Sequence, residues 1–396
     1  MPLAMAASAL TPLVSFLVGR SARREAEADL DATLQGVQRC GLPPDQIETV
    51  LIDRSPTPAF IERFPVIQLM DRHQRPLAAT LPEAMSRIRG RYVVWLSPGS
   101  VIRPGAVVRM MVRFDAEPTL GALCFYATRP DGTPAHGELG GVIDVRCCGI
   151  RRRALDEIRL PQRLESPLDA IDLSSRMLAR GWEIRAVDDL HVSIPVADQS
   201  PHFERLVRED LKIVSQWLPR RWIVPIGRDW VRRRRMEADD AGRLDSHYRG
   251  LAVGLMRALV PRERIPLDEP VMEAIFRPQE TENRLRRLKH DLALKRILLL
   301  DLTPNSAFLR AAARKLALEI AAIADNRFAR PHRRFARLRV LRDEQARAER
   351  FDAAIAAHLH PLAAESRLRE WRALGDPRPS IDLFAASAAA VSVWVR

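Results

Sequence analysis

The chain has little lysine, little cysteine and no long apolar run, and each scarcity closes a class of explanation. Only four of its 63 basic residues are lysines (Lys212, Lys289, Lys295 and Lys315), so arginine carries almost all the positive charge. Its four cysteines, Cys40, Cys124, Cys147 and Cys148, show no Cys-x-x-Cys spacing. That argues against a disulfide scaffold or a thiolate zinc site and reads as reduced thiols in a cytosolic protein. The longest apolar run near the C-terminus, "LFAASAAAVSVWV", falls short of the roughly 20 residues that a membrane-spanning helix needs. At the other end, "MPLAMAASALTPLVSFLVG" is apolar but lacks a basic leading segment, contains Pro2 and Pro12, and runs into a strand pattern. A signal peptide is not expected there.

What remains is a globular composition. The 396 residues are 47% apolar and 29% charged, enough for two domains with sizeable cores. The formal charge of +13 favours anionic partners such as sugar nucleotides or acidic lipid headgroups. A GC-rich coding sequence produces the same arginine bias, so charge alone does not choose among them. Aromatic residues make up only 6% of the chain and no base-stacking module is present, so nucleic acid is not an expected partner. P-loop, nucleophile-elbow and zinc-site motifs are absent from the sequence.

From residue 12 to about 195 the pattern alternates strand and helix, which predicts a mostly parallel sheet covered by helices on both faces. "LVSFLV", "TVLID", "VIQLM" and "YVVWL" read as buried strands. Between the first two, Leu30, Leu34 and Val37 recur at helical spacing. Pro104 is expected to open a later helix. After Pro201, stretches rich in Arg, Ala and Leu predict a mainly α-helical region running to about residue 375. The expected domains are therefore 10–198 and 199–396. In the second, "ENRLRRLKHDLALKRILLLDL" puts Leu285, Leu288, Leu292 and Leu299 near one helical face. "QWLPRRWIVPIGRDWVRRRRM" sets Trp217, Trp222 and Trp230 among arginines. This segment reads either as contact with an anionic membrane surface or as packing, and Pro219 and Pro225 are expected to prevent one continuous helix. Cys147-Cys148 reads as strand packing, and His358-Leu359-His360, without a third ligand nearby, as surface.

Five segments over roughly residues 12 to 195 appear in an order that resembles the GT-A fold of family 2 glycosyltransferases. They are "TPLVSFLVG", "ETVLIDRS", "LAATLPEAMSRIRGRYVVWLSPGSVIRPGAV", "GGVIDVRCCGIRRRAL" and "DAIDLSSRMLARGWEI". The resemblance implies transfer of a sugar from a nucleotide-diphosphate donor to an acceptor hydroxyl, with inversion, in cell-surface glycan synthesis of bacterial type. It implies a glycan or lipid-linked acceptor, and a cytoplasmic site on the inner face of the plasma membrane. In the family pattern an Asp-Asp-Gly-Ser segment helps hold the nucleotide, an Asp-x-Asp holds Mn²⁺ or Mg²⁺ on the diphosphate, and a Glu-Asp supplies the base.

Here Asp53 keeps the first of these positions and Arg54 replaces the second aspartate. The Asp-x-Asp falls on Ser97, Pro98 and Gly99, so no metal site of the family type is expected. Arg54 and Arg20 are the candidates to meet the diphosphate in place of an ion, with Ser97 beside them. The family's catalytic aspartate falls on Ala170, leaving Asp169 or Asp172 as candidate base, and the downstream histidine falls on Ile194, three residues after His191. Each residue also has a plainer reading: Asp53 as a turn cap, Arg54 as a solvated arginine, Asp169 as a first-turn helix carboxylate, and Asp172 as structural. Loss of the carboxylates leaves open a second class of function, an inactive pseudo-glycosyltransferase acting as a binding or scaffold protein. A third reading is a basic helical adaptor carrying an α/β domain.

Overall fold

The structure is a computed structural model and describes residues 12–19, 27–53, 62–64, 67–70, 83–130, 141–144, 146–158, 160, 167–194, 203–259 and 266–385. Two compact units make up the chain: Met1–His136 with Gly141–Asp198, and Gly137–Gly140 with Gln199–Arg396.

The first unit is a mainly parallel α/β sheet with helices on both faces, as the sequence predicts. Its elements run β1 (Val14–Gly19), α1 (Glu27–Gln38), β2 (Ile47–Asp53), β3 (Ile67–Met70), β4 (Tyr92–Leu96), β5 (Val101–Ile102), α2 (Ala106–Ala116), β6 (Leu120–Thr128), β7 (Cys147–Arg151), α3 (Arg152–Asp156), α4 (Pro167–Leu178) and β8 (Glu183–Ser193). The sheet has eight strands in the order β3-β2-β1-β4-β7-β6-β8-β5. β1 pairs in parallel with β2 and with β4, while β7 lies antiparallel to both β4 and β6. All six residues of β1 are buried, as a central strand covered on both faces requires. Val14, Phe16 and Val18 pack with Leu30, Leu34 and Val37 of α1 on one face, while Leu17 and Val93 pack with Leu173 and Met177 of α4 on the other. Pro104 lies before α2, and Gly105, at φ 76, takes the cap position. Cys147 and Cys148 are fully buried in β7, where burial pushes both thiols well up.

At the amino edge of this sheet Glu48 is buried, yet it accepts hydrogen bonds from Ser15 Oγ, the Arg89 backbone N–H, Gly90 N–H at 3.1 Å and Arg89 Nε at 3.1 Å. Gly90 is required here by close approach. A Cβ on it would lie 2.5 Å from Ser15 Oγ and 2.6 Å from Ser15 N.

The second unit is helical from residue 203 to 291 and then changes character. Its helices are α5 (Phe203–Trp217), α6 (Arg220–Asp240), α7 (Leu244–Leu259), α8 (Glu269–Phe276) and α9 (Pro278–Asp291). Next come β9 (Arg296–Leu300), α10 (Ser306–Lys315), β10 (Glu319–Ala324), β11 (Arg334–Phe335), β12 (Leu338–Leu341), α11 (Asp343–Ala346), β13 (Ala353–Ala356), α12 (Pro361–Ala373) and β14 (Ser380–Asp382). They build a six-stranded sheet in the order β11-β12-β10-β9-β13-β14, parallel except for the β11–β12 hairpin. The helical expectation thus holds to residue 291 and is corrected beyond it. Leu299 belongs to a strand, whereas Leu285 stays on the buried face of α9.

Of the two prolines expected to break the tryptophan segment, Pro219 does so, separating α5 from α6 and capping the latter, whereas the expectation for Pro225 is corrected: it lies inside α6, a helix of 21 residues. The backbone hydrogen bond lost at Pro225 is outweighed by packing within the unit. Trp222 stands edge-on to Phe308 at 4.3 Å, and Trp230 is buried with its indole N–H donating to Pro304 O at 3.0 Å. His358 and His360 are not surface residues. His358 Nε2 lies 3.2 Å from Asp301 Oδ2, and His360 is 7% exposed.

That histidine pair borders a buried ionic cluster at the carboxyl edge of the second sheet. Arg367 of α12 reaches Asp301 Oδ1 at 2.7 Å, Asp343 Oδ1 at 2.6 Å and Asp343 Oδ2 at 2.9 Å. Burial pushes the Asp301 carboxyl up, but the His358 hydrogen bond and Arg367 outweigh it and hold the group below its ordinary range.

Candidate functional site

In an open α/β sheet, ligands bind outside the carboxyl ends of the strands where the strand order reverses. In the first sheet that point lies between β1 and β4, because β2 and β3 extend to one side of β1 and β4 to the other. Asp53 closes β2 opposite Met70, and its place at the carboxyl edge is the one the sequence predicts. Arg20 and Arg54 lie outside the described residues.

Ser97 to Ser100 follow β4 and form a tight turn. Ser100 N–H donates to Ser97 O at 3.0 Å, Pro98 and Gly99 occupy the centre, and Gly99 has φ 81. Proline followed by a glycine at positive φ defines a type II turn. The segment is anchored from outside as well: Ser97 N–H donates to Arg146 O at 2.8 Å and Gly99 N–H to Asp29 O at 2.9 Å. Where the resembled family carries two metal-binding aspartates, this chain has a tight turn whose side chains offer only two neutral hydroxyls, the half-buried Ser97 and the buried Ser100. A hard divalent cation needs several oxygen ligands, preferably charged, and these residues do not fit one. The turn also resists restoration of a carboxylate. Gly99→Asp should lower stability by about 1 kcal/mol, because an aspartate must then hold a left-handed backbone. Chemical denaturation checks this, and an unchanged midpoint would rule out the type II geometry.

Sequence reasoning missed a pair beside this turn. Asp144 accepts from Arg146 Nε at 2.9 Å and from Arg146 Nη2 at 2.6 Å, and it also takes the Arg146 backbone N–H at 3.0 Å. Because β7 runs antiparallel to β4, its start meets the end of β4, with Leu96 opposite Cys147. The signal available in sequence was the Asp-x-Arg spacing just before a strand, which has no meaning until the pairing partner is known.

The adjacent segment ties to α4, since Ile143 N–H donates to Ser174 Oγ at 2.9 Å. Asp169 is the third residue of α4, in its first turn. Ala170 is buried. Asp172 is held by its own helix, with Arg176 Nε at 2.6 Å from Oδ1 and Nη2 at 3.0 Å from Oδ2. Both of its oxygens are occupied by the Arg176 fork, so neither is free to meet an acceptor hydroxyl. Ile194 is buried. His191 stands edge-on to Tyr126 at 5.2 Å, and burial, with Arg103 and Arg109 nearby, lowers its pKa. It is therefore neutral at physiological pH. The structure brings together Ser97, the Asp144–Arg146 pair and the α4 segment, and it leaves Asp172 occupied elsewhere.

No family model and no curated protein sequence matches the chain. Among solved structures it is similar to the mannosyltransferase PcManGT from Pyrobaculum calidifontis, in complex with GDP-Man and Mn²⁺. That match is 16% identical, with a TM-score of 0.42, over 77% of this chain and 86% of the other. It is also similar to S. aureus TarS 1-349 in complex with UDP-GlcNAc, at 12% identity and a TM-score of 0.44, over 77% of this chain and 92% of the other. Among the described residues no helix is long and apolar enough to cross a membrane.

Proposed function

We propose that the first unit binds a nucleotide-diphosphate sugar at the carboxyl edge of its sheet and transfers the sugar to an acceptor hydroxyl without a divalent ion. The observation that carries this reading is the placement of Asp53 and the Ser97–Ser100 turn on the two strands flanking β1, at the reversal of strand order. In this reading Asp53 takes the ribose or base, Ser97 donates to a diphosphate oxygen, and Arg20 and Arg54 meet its charge. The acceptor oxygen attacks the anomeric carbon as the bond to the diphosphate breaks, and its proton passes to Asp169, giving inversion. A growing surface polysaccharide or a lipid-linked glycan is the acceptor class, which places the protein at the inner face of the plasma membrane.

A second reading has its own observation. Ala170 stands at the family's base position and Asp172 is ion-paired, which favours a protein that holds the donor without turning it over. Calorimetric titration with UDP, GDP, CDP and dTDP, each with Mn²⁺ and again with EDTA, tests both. Binding of one nucleotide that survives EDTA and is lost in Asp53→Ala is the expected result. Loss of binding in EDTA would defeat metal independence. Binding without turnover, unaffected by Asp169→Asn, would select the scaffold.

A further inference from the structure

Within the second unit, α6, α10 and the β11–β12 hairpin enclose a concave pocket of about 680 Å³. Five guanidinium groups line it: Arg228 and Arg232 from α6, Arg310 and Arg314 from α10, and Arg337 from the hairpin. Each helical pair is spaced four residues apart, so both members lie on one face. Against five positive charges the lining holds two carboxylates, and both are already engaged. Glu319 lies 3.1 Å from Arg296, and Asp229 lies 3.1 Å from Arg310. Among the described residues Arg228, Arg232, Arg314 and Arg337 have no ion-pair partner, and Arg310 Nε–H has no hydrogen-bond acceptor. The crowding registers on Arg310 itself. Burial, with Arg232 and Arg314 nearby, pulls its pKa down despite Asp229.

The hairpin supplies an independent observation. Phe335 pairs with Leu338, so Ala336 and Arg337 form a two-residue loop, and both have positive φ, 50 and 75. Such a turn is normally made by Asn-Gly or Gly-Gly, because a side chain there strains the backbone. An arginine held in that conformation at a pocket rim, with no partner of its own, is a local cost with no local return, the pattern found at ligand sites.

We propose that this pocket binds a phosphate-bearing anion carrying two or more negative charges, held bidentately by the α6 and α10 arginines and closed over by Arg337. Planar guanidinium forks match phosphate oxygens, and the apolar lining at Val224, Pro225 and Leu338 accommodates the organic part of a phosphate ester. The pocket is lined by residues of the second unit alone, and the proposal does not depend on the function proposed for the first.

The test uses the full chain and two probes: inorganic pyrophosphate by calorimetry, and flotation with phosphatidic acid vesicles against phosphatidylcholine vesicles. Arg232→Ala/Arg314→Ala should weaken binding on the order of tenfold per guanidinium removed. Arg337→Gly removes the strain together with the charge, so it should weaken binding while raising the melting temperature. This second variant decides the matter where the first is unstable. Pyrophosphate binding lost in the variants identifies a soluble ligand. Vesicle binding lost in the variants, without pyrophosphate binding, identifies a lipid headgroup. Wild-type protein that binds neither probe, or binding that both variants leave unchanged, overturns the proposal.

Discussion

Arg367→Ala is expected to destabilise the second unit by about 3–5 kcal/mol, because it strips the counter-charge from the buried Asp343 and the partly buried Asp301. Asp343 is 3% exposed and loses both of its contacts to the guanidinium, while Asp301 keeps only His358. Arg367→Lys should recover part of the loss, since an ammonium restores the charge but cannot bridge both carboxylates with a planar fork. Thermal unfolding reads both variants, and a shift on the order of 10 °C is expected for the alanine. A near-silent Arg367→Ala would mean that water enters the cluster freely.

Glu48→Ala should cost the first unit on the order of 3 kcal/mol, since it leaves the Ser15 hydroxyl and the Arg89 backbone N–H without their acceptor, while Gly90 N–H keeps only Ser15 Oγ at 2.8 Å. The charge has a pH signature of its own. Burial pushes the Glu48 carboxyl up, but the bonds from Ser15, Arg89 and Gly90 outweigh it and hold the group below the ordinary glutamate range. The unfolded chain therefore takes up the proton first as pH falls. This contribution is complete above the unfolded pKa and is lost as pH drops through the folded one. Denaturant midpoints collected from about pH 7 to pH 3 should fall less steeply for Glu48→Gln than for the wild type. Parallel acid limbs would show that some other carboxylate governs.

The first unit was legible because its strands are β-branched and its helices periodic. "YVVWL" is a strand from Tyr92 to Leu96, and Leu30, Leu34 and Val37 face the core together. The second sheet was hidden by composition. Its strands include "AAIA" and "EIAAIA", and alanine disfavours strands and favours helices, so local preference points the wrong way until parallel neighbours pair along both edges. Pro225 misled for the opposite reason: a rule about one backbone hydrogen bond was applied where tertiary packing of Trp222 and Trp230 decides. At the candidate site, "SPG" gave the absence of carboxylates directly. The Asp144–Arg146 pair and the Asp172–Arg176 clamp both needed coordinates, because neither the strand pairing nor the choice of partner is written locally.

The Arg367 cluster also bears on how fast the second unit assembles. Its contacts join residues 66 and 24 positions apart along the chain, and the pairings that β9 makes with β10 and β13, and β10 with β12, are parallel, so none of these pairs can close as a hairpin. Loop-closure entropy must be met before these bonds form, which places them after the folding barrier. Arg367→Ala should then leave the refolding rate nearly unchanged and accelerate unfolding by roughly the whole equilibrium loss, so the cluster acts as a kinetic latch on an already folded sheet.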